Sequence, residues 1–201
     1  MKKFISLLIT VSFMLAALAC AVQAGSLVMG RVENVVGNFS IGCDGSTIKV
    51  TLNIFAPWEF VETHLYVDPV IPKQSAPGQF PFMHDTFADT STDYFGSADG
   101  LPSGTGTFPH YFAMQAKVRQ IVGYLDQDGN LIVDEYDSPI LDPGEFPTEV
   151  TSSTEVYEYE SVWGRATGTG IANTGIPRKG KGKSGTDATN WATYFVYNPT
   201  C

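Results

Sequence analysis

In Thr47-Ile48-Lys49-Val50-Thr51-Leu52-Asn53-Ile54, the residues Ile48, Val50, Leu52 and Ile54 fall on one side of an extended chain and polar residues on the other. A period of two over eight residues describes a strand with one face in a core. The pattern recurs. In Glu59–Val67, Phe60, Glu62, His64 and Tyr66 oppose Val61, Thr63, Leu65 and Val67. Phe112–Tyr124 reads as a long strand, Asp126-Gln127-Asp128-Gly129-Asn130 as a turn, and Leu131-Ile132-Val133 as the returning arm of a hairpin. Thr154–Trp163 alternates again, and Trp191–Tyr197 reads as a final strand rich in aromatics. Beyond the first two dozen residues there is no helical period. Seven to nine strands in one domain predict an all-β fold, a single antiparallel β-sandwich or jelly roll. Two long loops are expected, at 68–109 and, Gly/Thr-rich, at 164–189.

The ends of the chain indicate an exported protein. Met1-Lys2-Lys3, the apolar run Phe4–Ala19 and the small residues of Ala21-Val22-Gln23-Ala24 fit a secretory signal peptide, residues 1–24, cleaved after Ala24. That leaves 25–201 as the secreted domain. The apolar run is short of the ~20 residues a membrane span needs, so no membrane span is expected. Lipidation at Cys20 is the rival reading, although Ala17 stands where a lipobox carries Leu. Removing the leader leaves Cys43 and Cys201, and an even pair in an exported chain predicts a disulfide. Closing so long a loop is worth about 4–5 kcal/mol in the chain-entropy view, as an upper figure.

Charge is sparse and uneven. Only 16% of residues are charged, against ~25% in ordinary domains. The formal net charge of −9 argues against a nucleic-acid partner, which needs surplus Lys and Arg on phosphates. Between Gln120 and Gly164 there are eleven acids and no Lys or Arg, while Arg178-Lys179-Gly180-Lys181-Gly182-Lys183 is a compact basic run. These opposite fields suit self-association, the acidic region of one copy meeting the basic run of the next.

Candidate sites are few. Asp126-x-Asp128-Gly129 with Glu135 has EF-hand spacing, but Tyr124 occupies the first ligand position. A looser calcium site would draw on Asp126, Asp128, Asp134 or Asp137, and calcium is the one cofactor the sequence suggests. Trp58, Trp163 and Trp191, with Tyr94, Tyr111 and Tyr157, are candidates for an aromatic platform binding a polysaccharide. His64, His84 and His110 are the only histidines, and no zinc, serine-hydrolase, P-loop or dinucleotide motif is present.

Four segments in order resemble a module of secreted and cell-surface proteins patterned W…ETHLYV…PGQFPY…AHA…ETAWG…NWATYF. They are Trp58–Val67, Ala76–Phe82, Glu160–Gly164 and Asn190–Phe195, so the resemblance spans about residues 47–198. Gln115 stands where the pattern has the His of AHA, and the stretch before Asn190 is longer than the pattern's. The module carries no assigned activity, so the resemblance implies location and architecture. Within that frame Glu62, His64, Gln115 and Glu160 are expected to meet as a buried polar network, with Trp163 and Trp191 packing over it. Glu62→Ala would then cost a few kcal/mol through unpaired partners. The function expected is a non-catalytic extracellular structural or adhesive protein, a surface, matrix or filament component. The alternatives are a carbohydrate-binding module and a metal-dependent hydrolase built on Glu62, His64 or the acids at 155–160.

Overall fold

The structure, a computed structural model, describes residues 23–29, 34–73, 76–85, 91–105, 109–167, 171–176, 192–199 and 201. Its strands are β1 (Gln23–Met29), β2 (Asn34–Asp44), β3 (Thr47–Ile54), β4 (Glu59–Asp68), β5 (Phe82–Asp85), β6 (Thr92–Phe95), β7 (His110–Leu125), β8 (Thr154–Ala166), β9 (Thr174–Gly175) and β10 (Thr193–Tyr197). Among the described residues the only helical pieces are three-residue 3₁₀ turns, and no helix is long and apolar enough to cross a membrane. The all-β expectation holds.

The strands form one antiparallel sheet in the order β5-β4-β7-β8-β1-β2-β3-β6, with β10 alongside the start of β7. The sheet curls until its two edges, β5 and β6, approach each other and nearly close a barrel. The alternation of β3 is realised in full, with Ile48, Val50, Leu52 and Ile54 all buried. In β4 the period breaks at Val61, where the pairing with β7 skips a residue between Phe60 and Glu62. This bulge puts Phe60 in the core together with Thr63, Leu65 and Val67, so the expected opposition of Phe60 to those residues is corrected.

The interior holds Phe39, Phe60, Phe95, Phe112 and Phe195, all at most 1% exposed, among aliphatic side chains. Phe39 and Phe112 lie on either side of Phe195, with ring centroids 5.5 and 5.7 Å away and interplanar angles of 19° and 11°. Each such ring contributes about 1.5–3 kcal/mol by leaving water. Cys43 of β2 and Cys201 form the expected disulfide, Cα atoms 5.5 Å apart across 158 residues of sequence.

Several local expectations change. β1 and β2, which were not among the expected strands, complete the sheet between β8 and β3. The region 68–109 contains two strands, β5 and β6, as well as loop. Leu131–Val133 is not a strand arm. It makes isolated bridges, and the strand returning along β7 is β8. Of residues 1–24, the expected leader, only Gln23 and Ala24 are described, paired with Ile41 and Ser40 in β2. Cys20, Trp191 and the basic run 178–183 lie outside the described residues.

Candidate functional site

The densest polar cluster sits where the sheet's edges meet. The bulge in β4 turns Thr63 inward, and the β4–β5 register places His84 beside it. Across the seam, β6 alternates exposed and buried, so Asp93 and Phe95 point inward while Thr92 and Tyr94 point out. The Thr63 hydroxyl donates to Asp93 Oδ2 at 2.5 Å. His84 Nδ1 lies 3.0 and 3.1 Å from the two Asp93 oxygens, and its Nε2 lies 3.0 Å from Asp99 Oδ1. Asp99 closes the 3₁₀ turn Ser97–Asp99, its Oδ2 accepting the Gly96 amide at 2.8 Å. The imidazole also lies flat on Phe95, centroids 4.2 Å apart and planes 9° from parallel.

Burial alone would disfavour the charged imidazole. The Asp99 and Asp93 carboxylates outweigh it, and the His84 pKa is raised. For Asp99 burial pushes upward, but the Gly96 amide and His84 prevail and its pKa is lowered. Chemically, the geometry suits an imidazolium that donates to both carboxylates. Thr63 bonds Asp93 and not the imidazole, so it lacks the base contact an activated nucleophile needs. The sequence reading missed this cluster. Its only sequence signal is an aspartate at an inward position of β6, between residues that alternate toward the core.

The expected polar network assembles in part, on the opposite face. Met83, His64, Gln115 and Trp163 stand in one row across β5, β4, β7 and β8. His64 and Gln115 are buried, and Glu62 Oε1 approaches His64 Nε2 at 3.5 Å from a side chain that is 39% exposed. Trp163 packs edge-on to Phe80, which also meets Tyr66, with Ala113, Ile176 and Ala192 completing a second apolar cluster. Gln115 Nε2 donates to the Ala116 carbonyl, whereas Gln115 Oε1 and His64 Nδ1 are buried with no hydrogen-bond partner among the described residues. Glu160 does not join. It pairs with Val118, three residues from Gln115, and so projects from the other face of β8 than Trp163, on an exposed stretch of the strand.

The aromatic platform does not form among the described residues. Trp163 is 2% exposed, and Trp58 is partly buried against the core. Tyr157 lies under the Arg119 guanidinium, 4.2 Å from its ring centroid, and Tyr159 under Lys117 at 4.9 Å. Arg119 also pairs with Glu59 at 3.2 Å. The Tyr157 hydroxyl donates to Glu155, which with burial pushes its pKa up to about 12. These rings are engaged with cations, and the stripe is an ion-paired surface.

The calcium candidates belong to a repeating chain path. Asp126 Oδ1 accepts the amides of Asp128 and Asn130, at 2.9 and 2.8 Å. Eight residues later Asp134 Oδ1 accepts those of Tyr136 and Ser138, at 2.8 and 2.9 Å. Gly129 and Asp137, also eight apart, both have positive φ, 83° and 61°. Asp142 begins a third turn by accepting the Gly144 amide. Tyr124, Ile132 and Ile140 keep the same spacing and form a buried cluster with Phe146 and Val150. The turn amides hold the Asp126 carboxylate below its usual pKa, the Asn130 amide foremost. Asp128 and Asp137 are exposed. Among the described residues no three His, Cys, Asp or Glu gather as a metal-holding group.

Comparison with known proteins finds no matching family model, no matching curated protein and no matching solved structure.

Proposed function

We propose that the protein is a non-catalytic extracellular structural component that self-associates through opposite charge. The observation carrying this reading is the acidic arm formed by the far ends of β7 and β8 with residues 126–153 between them. Ten of its eleven carboxylates, at positions 126–160, are exposed, and Asp126 is half-buried. The positive counterpart is the run Arg178–Lys183 of another copy. An aqueous, oxidising address is supported by the leader-like start, the resemblance to secreted modules and the Cys43–Cys201 bridge. A structural role is supported by a barrel interior filled with Phe, Ile, Leu and Val side chains. The carbohydrate-binding reading is less well supported, since Trp163 is buried and the Tyr157 and Tyr159 rings are engaged by cations.

Sedimentation velocity over a range of NaCl concentrations tests the proposal. Charge-driven assembly gives a mass that rises with protein concentration at low salt and falls to the monomer at high salt. Replacing Lys179, Lys181 and Lys183 together by Gln removes the effect. A monomer at low salt over the whole concentration range would overturn the reading.

A further inference from the structure

The seam between β5 and β6 is held differently from every other junction in the sheet. β5 and β6 are each four residues long, bonded by their backbones to β4 and β3 respectively, and the ladder order leaves them as the two edges. His84, on β5, reaches Asp93 of β6 and Asp99 of the following turn. Thr63 adds a bond from β4 to the same Asp93.

Only the imidazolium has a proton on each ring nitrogen. A neutral ring between two carboxylates turns one lone pair toward an anion about 3 Å away, so deprotonation replaces a charge-assisted hydrogen bond by a repulsive contact. We infer that His84 is a proton-held clasp: with an imidazolium between Asp93 and Asp99 the barrel's edges are locked together, and with a neutral ring they part.

Among the described residues, the groups facing the ring include Asp93 and Phe95 from β6, Asp99 from the 3₁₀ turn and Thr63 from β4. Asp85, next to His84 on β5, is exposed and in register with Glu62, on the opposite face of the strand. Asp89 lies outside the described residues. The inference does not rest on self-association, because none of these groups belongs to the acidic arm or the basic run.

Amide hydrogen exchange with NMR titration of His84 in the full chain tests it. The readout is the exchange rate of the β5 and β6 amides relative to those of β2 and β3, a ratio in which intrinsic base catalysis cancels. As pH rises through the His84 titration the ratio grows about tenfold, the size expected for losing one charge-assisted bond at a short edge. In His84→Gln the ratio no longer depends on pH. Asp99→Asn, which keeps the turn's shape, moves the His84 titration downward and serves where His84→Gln does not fold. A ratio constant over pH, a His84 titrating at or below the ordinary histidine value, or an unmoved titration in Asp99→Asn would each overturn the clasp.

Discussion

The sulfur of Cys201 lies where residue 104 would carry a side chain: a β-carbon built on Gly104 would stand 2.2 Å from it. The same glycine donates its amide to the Ser46 carbonyl and accepts the Cys201 amide, so loop and terminus share one tight junction over β2 and β3. Gly104→Ala cannot be accommodated without moving the bridge. The expected result is a loss of about 1–3 kcal/mol in chemical denaturation under oxidising conditions, the usual cost of forcing an extra carbon into packed space. Under reducing conditions the loss shrinks, since a freed Cys201 can move away. An equal loss in both conditions would place the strain elsewhere.

Thr63→Val tests the buried end of the seam. Asp93 is 6% exposed and takes its hydroxyl bond from Thr63, and valine keeps the volume while removing that donor. A loss of about 1–3 kcal/mol is expected in urea denaturation, the cost of a buried acceptor short of a partner.

The pH dependence of stability follows from the two shifted groups. The raised His84 pKa contributes stability that is complete below the unfolded value, about 6.5, and is lost as pH rises through the folded value. The lowered Asp99 pKa contributes stability that is present above the unfolded value of 3.8 and is lost as pH falls through the folded value. The difference in Tm between the native chain and His84→Gln is therefore largest between the two transitions and narrows on either side. A difference that widens steadily toward alkaline pH would reverse the sign and contradict the shifts.

What the sequence made legible, and what it hid, has a physical pattern. β3 alternates cleanly because one of its faces meets only the core, so Ile48, Val50, Leu52 and Ile54 announce themselves. β4, β7 and β8 are covered on both faces near His64, Gln115 and Trp163, and two-sided burial erases alternation. The bulge at Val61 then shifts the phase of Phe60 without leaving a residue-type signature. The Cys43–Cys201 pairing was readable because only two cysteines follow the expected leader. The His84 cluster was not, since it joins β4 to three short elements whose neighbourhood exists only once the sheet curls. Glu160 was misplaced because it stands three residues from Trp163 in β8, an odd spacing that puts the two on opposite faces of the strand.

Asp134→Ala probes the eight-residue path. Its carboxylate serves two amides, Tyr136 and Ser138, on an exposed turn. Their exchange is expected to accelerate about five- to tenfold, in keeping with the ~1 kcal/mol that side-chain caps of backbone amides contribute. The barrel's Tm should stay unchanged, since Ile132 and Ile140 pack in a cluster separate from the main core. A large fall in Tm would show that arm and barrel unfold as one unit.

Gln115→Leu separates a cohesive network from a tolerated one. If His64, Gln115 and Glu62 were a mutually satisfied cluster, removing the central amide would cost several kcal/mol. The geometry says otherwise. Gln115 Oε1 lacks a partner among the described residues, its Nε2 serves one carbonyl of the next residue, and Trp163 and Phe80 make the surroundings apolar. Leucine removes a desolvated acceptor together with one modest bond, so stability should stay within about 1 kcal/mol of the native chain or rise. Gln115→Glu should cost several kcal/mol by burying an uncompensated charge. Glu62→Ala, from a side chain 39% exposed and 3.5 Å from its partner, should cost at most about 1 kcal/mol, well under the few expected from a buried pair. Urea denaturation of the three variants decides the matter, because a Gln115→Leu loss matching that of Gln115→Glu would restore the amide as the centre of the network.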